Sequence, residues 1–236
     1  MIHEFKTGRS GSTVALIAYG NGTAIHKTNV RNAEKVVELM RNSPLPTPVV
    51  YEYTDSSITL EYIPGIPMRK HIYTMNKSEL DRTVGILRDY ISDCLAKSTP
   101  YDYSAEIAAK ESSTGYQARI TNPVFPKYNI HGDLTIDNLL CYEGKIYFID
   151  YNYTELDSIY FDVNKLRQDL DGLWFARNHT PNVTVKMNLN YIKRHLDCAF
   201  PGMFRDDLYR FQLSRILPYV SGAEHEFIMR EIKRCE

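Results

Sequence analysis

The sequence predicts an α+β chain in two lobes, a small antiparallel sheet with one helix followed by a mainly helical body. Three observations carry this. Residues 5–63 break into short β-rich runs separated by tight-turn signals, with one helical stretch among them. From residue 76 onward apolar side chains recur mostly at helical spacing. Within that second part, one run (residues 130–150) gathers two carboxylates and an amide on a loop and the hairpin that follows it. The division expected is residues 1–63 for the first lobe and 64–236 for the second.

In chain order, Phe5 leads into the small-residue segment Gly8-Arg9-Ser10-Gly11-Ser12-Thr13, and residues 14–19 form a strand. Gly20-Asn21-Gly22 signals a tight turn, and residues 23–27 return as a strand ending near Lys27. Residues between two strands that lack bulky side chains let backbone amides approach a phosphate. The same letters also make an ordinary hairpin turn. A helix over 32–41 stops before Pro44, and it carries Glu34 and Glu38. Strands at 49–53 and 57–63 follow, and Pro64-Gly65 breaks the second into a hinge.

The later part reads as a helix over 76–97, a short helical stretch near 104–110, and a loop through Pro123-Val124-Phe125-Pro126. A helix is expected from the Asp162 region through Trp174, another from about 186 to 199, and two more near 204–218 and 224–234.

The chain of 236 residues is long enough for a substantial core, and its 43% hydrophobic content is that of an ordinary globular protein. A formal charge of −1 gives no global drive toward nucleic acid or an anionic membrane. Cys94, Cys141, Cys198 and Cys235 are scattered, without Cys-x-x-Cys or nearby His at zinc spacing, which points to reduced thiols and a cytoplasmic protein. No run reaches membrane-spanning length, and the opening residues lack the apolar core of a signal peptide.

The chemistry concentrates in His131-Gly132-Asp133, with Asn138 five residues after the Asp and Asp150 closing the apolar run Ile146-Tyr147-Phe148-Ile149. Two short strands turning at Glu143-Gly144-Lys145 bring Asp150 back beside Asn138. One Asp and one Asn, completed by phosphate and water oxygens, suit Mg²⁺. A further Asp can direct a hydroxyl proton. The spacing is that of the protein-kinase catalytic loop, with Gly132 where that loop has Arg.

In this Gly form the segment resembles the aminoglycoside phosphotransferase and choline kinase family, small-molecule kinases with a protein-kinase-like fold. The resemblance implies an ATP- and Mg²⁺-dependent phosphotransferase whose partners are a nucleotide and a small-molecule acceptor rather than nucleic acid or membrane. By that resemblance Asp133 is the catalytic residue, and Asn138 and Asp150 hold the metal. Gly11 and Ser12 cover the phosphates and Lys27 bridges them. Glu34 steadies the lysine, with Glu38 as the alternative, because Pro46-Thr47-Pro48-Val49-Val50 is similar to the segment that follows the family's helix. Glu61 and Ile63 offer backbone groups to adenine. Asp162 caps a helix and braces the catalytic loop, and His131 is a brace too. Tyr151-Asn152-Tyr153 replaces the Phe-Gly of regulated protein kinases, so no mobile activation segment is expected. Arg119 and Lys127 are candidate phosphate or substrate cations, though a solvated surface role is the favoured reading of each. Tyr153, Glu155 and Asp157 lie toward the acceptor side, where acidic groups would suit a cationic acceptor such as an amino sugar or choline. The short C-terminal part suits a compact kinase of a sugar, amino sugar or related metabolite, such as those of surface-glycan pathways. A protein kinase, or a catalytically silent kinase-like binding module, are the competing readings.

Overall fold

The computed structural model describes residues 3–5 and 11–236. The first half of the loop read as a phosphate cover, Gly8 to Ser10, therefore lies outside the described residues. A five-stranded sheet opens the chain: β1 (His3–Phe5), β2 (Thr13–Tyr19), β3 (Gly22–Thr28), β4 (Val50–Tyr53) and β5 (Ser57–Glu61), all antiparallel, in the order β1-β2-β3-β5-β4. Tyr19 faces Gly22 across a two-residue loop, and Gly20 takes φ +54°, the left-handed geometry that matches the twist of a tight hairpin. Register then sets Lys27 opposite Val14 on one side and Ile58 on the other.

Helix α1 (Ala33–Asn42) crosses between β3 and β4 and buries Ala33, Val36, Val37 and Met40, the i, i+3, i+4, i+7 stripe of a half-buried helix. This stripe packs on Ile58 and Leu60 of β5. The same apolar cluster continues without a break into the helical lobe. Polar links also tie the lobes. Phe148 N–H donates to Pro46 C=O (2.9 Å), and the Ser43 and Tyr151 hydroxyls are 2.8 Å apart.

The second lobe begins with β6 (Ile66–Pro67) and the single turn α2 (Met68–His71), then the long α3 (Lys77–Lys97). Asn76 accepts from Glu79 N–H at 3.1 Å while the Glu79 carboxylate accepts from Asn76 N–H at 2.8 Å, a complete capping box. Replacing Asn76 by Ala removes the first of these bonds and should cost about 1 kcal/mol in urea unfolding. An unchanged midpoint would contradict that role for the cap. Leu80, Val84, Leu87, Ile91 and Cys94 line the buried side of α3.

A small β7 (Thr99–Asp102)/β8 (Val124–Lys127) ladder flanks α4 (Ser104–Thr114). Residues 123–126 are expected as loop, yet residues 124–126 belong to β8, and the ladder contains both Pro100 and Pro126. They pair directly opposite each other in a two-stranded ladder, where a missing N–H is tolerated at an edge. A 3₁₀ turn (Ile136–Asn138) leads into the expected hairpin β9 (Leu139–Tyr142) and β10 (Lys145–Phe148), with β6 on its outer edge.

Helix α5 (Ile159–Leu170) lies beneath the hairpin, and ten of its twelve residues are buried, including Asp162, Asn164, Arg167, Gln168 and Asp169. Ser158, not Asp162, caps it. The helix also stops earlier than the sequence suggests. Asp169 draws Phe175 N–H to its carboxylate (2.9 Å), and Leu173 enters the left-handed region (φ 57°), so the expected run to Trp174 becomes a turn and a 3₁₀ segment. Three helices complete the lobe, α6 (Val183–Ala199), α7 (Asp206–Ser214) and α8 (Gly222–Arg234). Among the described residues no helix is long and apolar enough to cross a membrane, and all four cysteines are free thiols.

Candidate active site

The loop at residues 131–133 is held through its backbone. Asp162 is 1% exposed, and its carboxylate accepts three hydrogen bonds, from His131 N–H (2.9 Å), Gly132 N–H (3.0 Å) and the Tyr90 hydroxyl (2.7 Å). Burial pushes its carboxyl above the usual carboxylate range, against those donors and the nearby His131 ring. His131 is fully buried. Its Nε2–H donates to Ile149 C=O (2.8 Å) and its Nδ1 accepts from Asp133 N–H (3.3 Å), which fixes the proton on Nε2 and ties the loop to the strand before Asp150. The ring thus acts as a strut.

Gly132 answers to a close approach. Its φ is +81°, and a Cβ there would lie 1.9 Å from the Asn152 carbonyl oxygen. The loops containing Gly132 and Asn152 are clasped by Asn152 N–H to His131 C=O (3.0 Å). Arg in that place, as in protein kinases, would force the two loops apart.

Asn138 Nδ2 donates to the Asp133 backbone C=O (2.8 Å) and to Asp133 Oδ2 (3.1 Å), leaving the amide oxygen uncommitted in this pair. Asn138 C=O accepts from Ile149 N–H (3.0 Å), so the hairpin does bring the Asp150 end of the chain beside Asn138. Across the gap between lobes, Lys27 of β3 forms an ion pair with Asp150. Asp150 holds a left-handed backbone (φ 64°), a conformation that costs energy in a non-glycine residue and recurs at functional positions.

Two further groups on α5 reach the loop, and the sequence reading missed both. Lys165 Nζ is 3.3 Å from Asp133 Oδ1. Burial works to raise the Asp133 carboxyl, but Lys165, His131 and Asn138 together hold it below the usual carboxylate range. Asp169 accepts from Ile136 N–H (2.8 Å) and Phe175 N–H. The signal was available in principle. Asp162, Lys165 and Asp169 stand at i, i+3 and i+7, one face of a helix, so once Asp162 is placed beneath the loop the other two face it as well.

Burial pushes the Asp169 carboxyl up to about 7, and Asp137 adds to the effect. Across roughly pH 4 to 7 the folded chain therefore keeps a proton that the unfolded chain has released, since a free Asp titrates near 3.9. The contribution of Asp169 to stability is full at the acid end and is lost as pH rises to 7. The melting-temperature advantage of the wild type over Asp169→Asn should accordingly shrink from pH 5 to pH 8. A constant difference would contradict this.

The other expected site residues divide. Gly11 is exposed with φ +79°, and Ser12 is half-buried at the start of β2. Glu61 closes β5, donating its N–H to Val49 C=O (2.8 Å) and accepting Val49 N–H on its carboxylate (3.1 Å). Ile63 is buried, and its C=O accepts from Gly65 N–H (2.8 Å). The pairing of Lys27 with Glu34 is not observed. Glu34 and Glu38 are exposed on α1, off the buried stripe, and among the described residues the lysine's carboxylate is Asp150. Lys127 is held by Asp157 (3.5 Å) and lies over the Tyr101 ring, so it is not a free cation. Asp157 also accepts from the Tyr103 hydroxyl (2.8 Å), which ties the acid expected at the acceptor side into the β7/β8 packing. Tyr153 is covered by Lys35.

Among the described residues no cluster of three or more acids, histidines and cysteines could hold a metal. An Asp and an Asn amide oxygen still fit a cation such as Mg²⁺, which keeps waters and phosphate oxygens in most of its positions.

No protein-family model matches the sequence, and no curated protein sequence matches it. Solved structures do match in shape. A glucosamine kinase superposes with a TM-score of 0.60 at 11% identity, over 93% of this chain and 75% of that one. A thermostable mutant of an aminoglycoside phosphotransferase, in a ternary complex with AMP-PNP and hygromycin B, gives 0.58 at 11% identity, over 98% and 92%. Amicoumacin kinase with AMP-PNP, Ca²⁺ and its ligand gives 0.55 at 14%, over 95% and 85%. A β-sheet lobe above a helical lobe, with the loop and hairpin described here at their junction, is the protein-kinase-like fold that this chain shares with those small-molecule kinases.

Proposed function

We propose that this chain is an ATP- and Mg²⁺-dependent phosphotransferase acting on a hydroxyl group of a small molecule. The single observation that carries the reading is the convergence across the lobe junction. Lys27 from the sheet meets Asp150, while Asp133 and Asn138 are hydrogen-bonded beside it on the catalytic loop. Nucleotide complexes among the structural neighbours support the donor half of the assignment.

The roles follow from charge and geometry. Residues 1–63 form the lobe that covers the nucleotide and 64–236 the lobe that binds acceptor. Backbone amides at Gly11 and Ser12 approach the phosphates, and backbone groups at Glu61 and Ile63 take the base. Of the two at Ile63 the N–H serves, because its C=O is already engaged. Lys27 exchanges its ion pair with Asp150 for phosphate oxygens. Asp150 and the amide oxygen of Asn138 hold the divalent cation, which supplies neutralisation of phosphate charge. Asp133, ionised beside Lys165, aligns the acceptor hydroxyl and receives its proton as the new oxygen–phosphorus bond forms and ADP departs. A sugar, amino sugar or related metabolite is the acceptor we favour, in the cytoplasm where ATP is abundant and thiols stay reduced.

The test is ADP release from ATP and Mg²⁺ against a panel of sugars, amino sugars, choline and nucleosides. Release that requires an acceptor and stops with EDTA is expected. Absence of acceptor-dependent ADP across the panel would remove the proposal.

A further inference from the structure

We propose that Lys165 is a second lysine of the reaction: it leaves Asp133 when the acceptor hydroxyl arrives and contacts the oxygens of the phosphoryl group in transfer. This role rests on the phosphotransferase reading and deepens it.

One face of α5 meets the loop at three points. Asp162 takes His131 N–H and Gly132 N–H at one end, and Asp169 takes Ile136 N–H (2.8 Å) at the other. Lys165 stands between them on the same face, with its Nζ 3.3 Å from Asp133 Oδ1. The two acids bind main chain and fix the loop. Lys165 instead meets a side chain, the one assigned to the acceptor. Its side chain is 18% exposed against 37% for Asp133, so the ammonium is the more covered partner of the pair. Residues 130–140 contain no lysine or arginine, and the His131 ring is spent as a strut. Lys27 comes from the opposite lobe and rests on Asp150. The positive charge beside Asp133 is therefore supplied by α5.

The two oxygens of Asp133 are held differently. Oδ2 accepts from the Asn138 amide (3.1 Å), a bond within the loop, whereas Oδ1 is held by a lysine on a flexible four-carbon stem. Oδ1 is thus the oxygen that an acceptor hydroxyl takes over. A hydroxyl within about 2.6–3.2 Å of Oδ1, with the phosphorus about 3–3.5 Å from its oxygen, brings phosphoryl oxygens within reach of an ammonium that starts beside Oδ1. As the O–H bond breaks, the proton passes to Oδ1. The new O–P bond forms, and the old one leaves its electron pair on ADP. Asp133 is then neutral, and the ammonium is matched by phosphoryl oxygens, where the transition state spreads its charge. The competing role is a plain counter-ion for Asp133 among the acids Asp162 and Asp169, which would make every effect of Lys165 depend on Asp133.

The experiment uses ADP, Mg²⁺ and aluminium fluoride as a mimic of the phosphoryl group in transfer, which needs no acceptor, beside AMP-PNP and Mg²⁺ as the ground-state control. Calorimetry should show Lys165→Met binding the aluminium fluoride complex about tenfold or more weakly than the wild type, with AMP-PNP affinity within about threefold. That retained affinity also shows that the variant keeps its nucleotide site. The same loss should persist in the Asp133→Asn background, where the counter-ion role is gone. With an acceptor that turns over, Lys165→Met should lower kcat about a hundredfold at nearly constant KM, and Lys165→Arg should regain about tenfold of that loss. Equal affinity of wild type and Lys165→Met for the aluminium fluoride complex, a loss that vanishes in the Asp133→Asn background, or an equal loss for AMP-PNP overturns the inference and leaves phosphotransfer intact. So does a wild type that binds AMP-PNP but not the aluminium fluoride complex. A wild type that binds neither overturns the phosphotransferase reading together with it.

Discussion

Asp133→Asn should cut acceptor-dependent turnover by about a thousandfold while leaving nucleotide binding nearly as it was. The carboxylate is held ionised against its partial burial by Lys165, His131 and Asn138, so the wild-type side chain is ready to accept a proton at neutral pH. The amide accepts hydrogen bonds but cannot take the proton. Removing a general base typically costs between about 10² and 10⁴ in rate. Because the lost interaction belongs to the transition state, the effect should fall on kcat far more than on KM. Steady-state kinetics beside AMP-PNP calorimetry separates the two. Turnover within about threefold of wild type would take Asp133 out of the mechanism.

A second large effect is expected at Asp162, through stability. Truncation to Ala strips the acceptor from two backbone N–H groups, those of His131 and Gly132, and from the Tyr90 hydroxyl, all at the buried end of the loop. Each orphaned buried donor costs roughly 1–3 kcal/mol, and one of them, His131 N–H, also donates to the Tyr90 oxygen (2.8 Å) and is only partly orphaned. The sum is about 4 kcal/mol, a large share of the 5–15 kcal/mol that a typical domain possesses. Asp162→Asn keeps one acceptor oxygen and should recover about half. Urea unfolding reads both variants directly. A loss under about 1 kcal/mol in Asp162→Ala would mean that the loop is held some other way.

What the sequence carried was local. His131, Gly132, Asp133 and Asn138 lie within eight residues, and Asp150 returns through a hairpin whose turn, Glu143-Gly144, is written in letters that adopt positive φ. Short-range geometry of that kind survives any arrangement of the distant chain. The strands of the first lobe, α1, α3 and the last helices were legible for the same reason, since periodicity and caps are local signals. What escaped depends on how elements dock. Whether Lys27 meets Glu34 or Asp150 turns on the rotation of α1, and its apolar stripe at Ala33, Val36, Val37 and Met40 carries both glutamates away from the strand. The end of α5 is decided by Asp169 capturing Phe175 N–H, a contact that no propensity describes. Likewise Lys165 looks like a surface charge until α5 is packed against the loop.

The geometry also explains why a protein-kinase arginine is not accommodated here. Asn152 C=O occupies the space that any side chain at Gly132 would need. In its place, backbone hydrogen bonds to Asp162 and the His131 strut fix the loop, and the positive charge next to Asp133 arrives from α5 as Lys165. The loop is thus braced from below by one helix face that carries two acids and a lysine.

The central claim is that the junction between the lobes is a metal–nucleotide site closed by Lys27 and Asp150. Calorimetric titration of AMP-PNP with and without Mg²⁺, on the wild type and on Lys27→Ala and Asp150→Ala, tests it most directly. The account predicts binding that strengthens with Mg²⁺, weakens about tenfold or more in each variant, and loses its Mg²⁺ dependence in Asp150→Ala. Binding that ignores the cation and both substitutions, or no binding by the wild type, would contradict it.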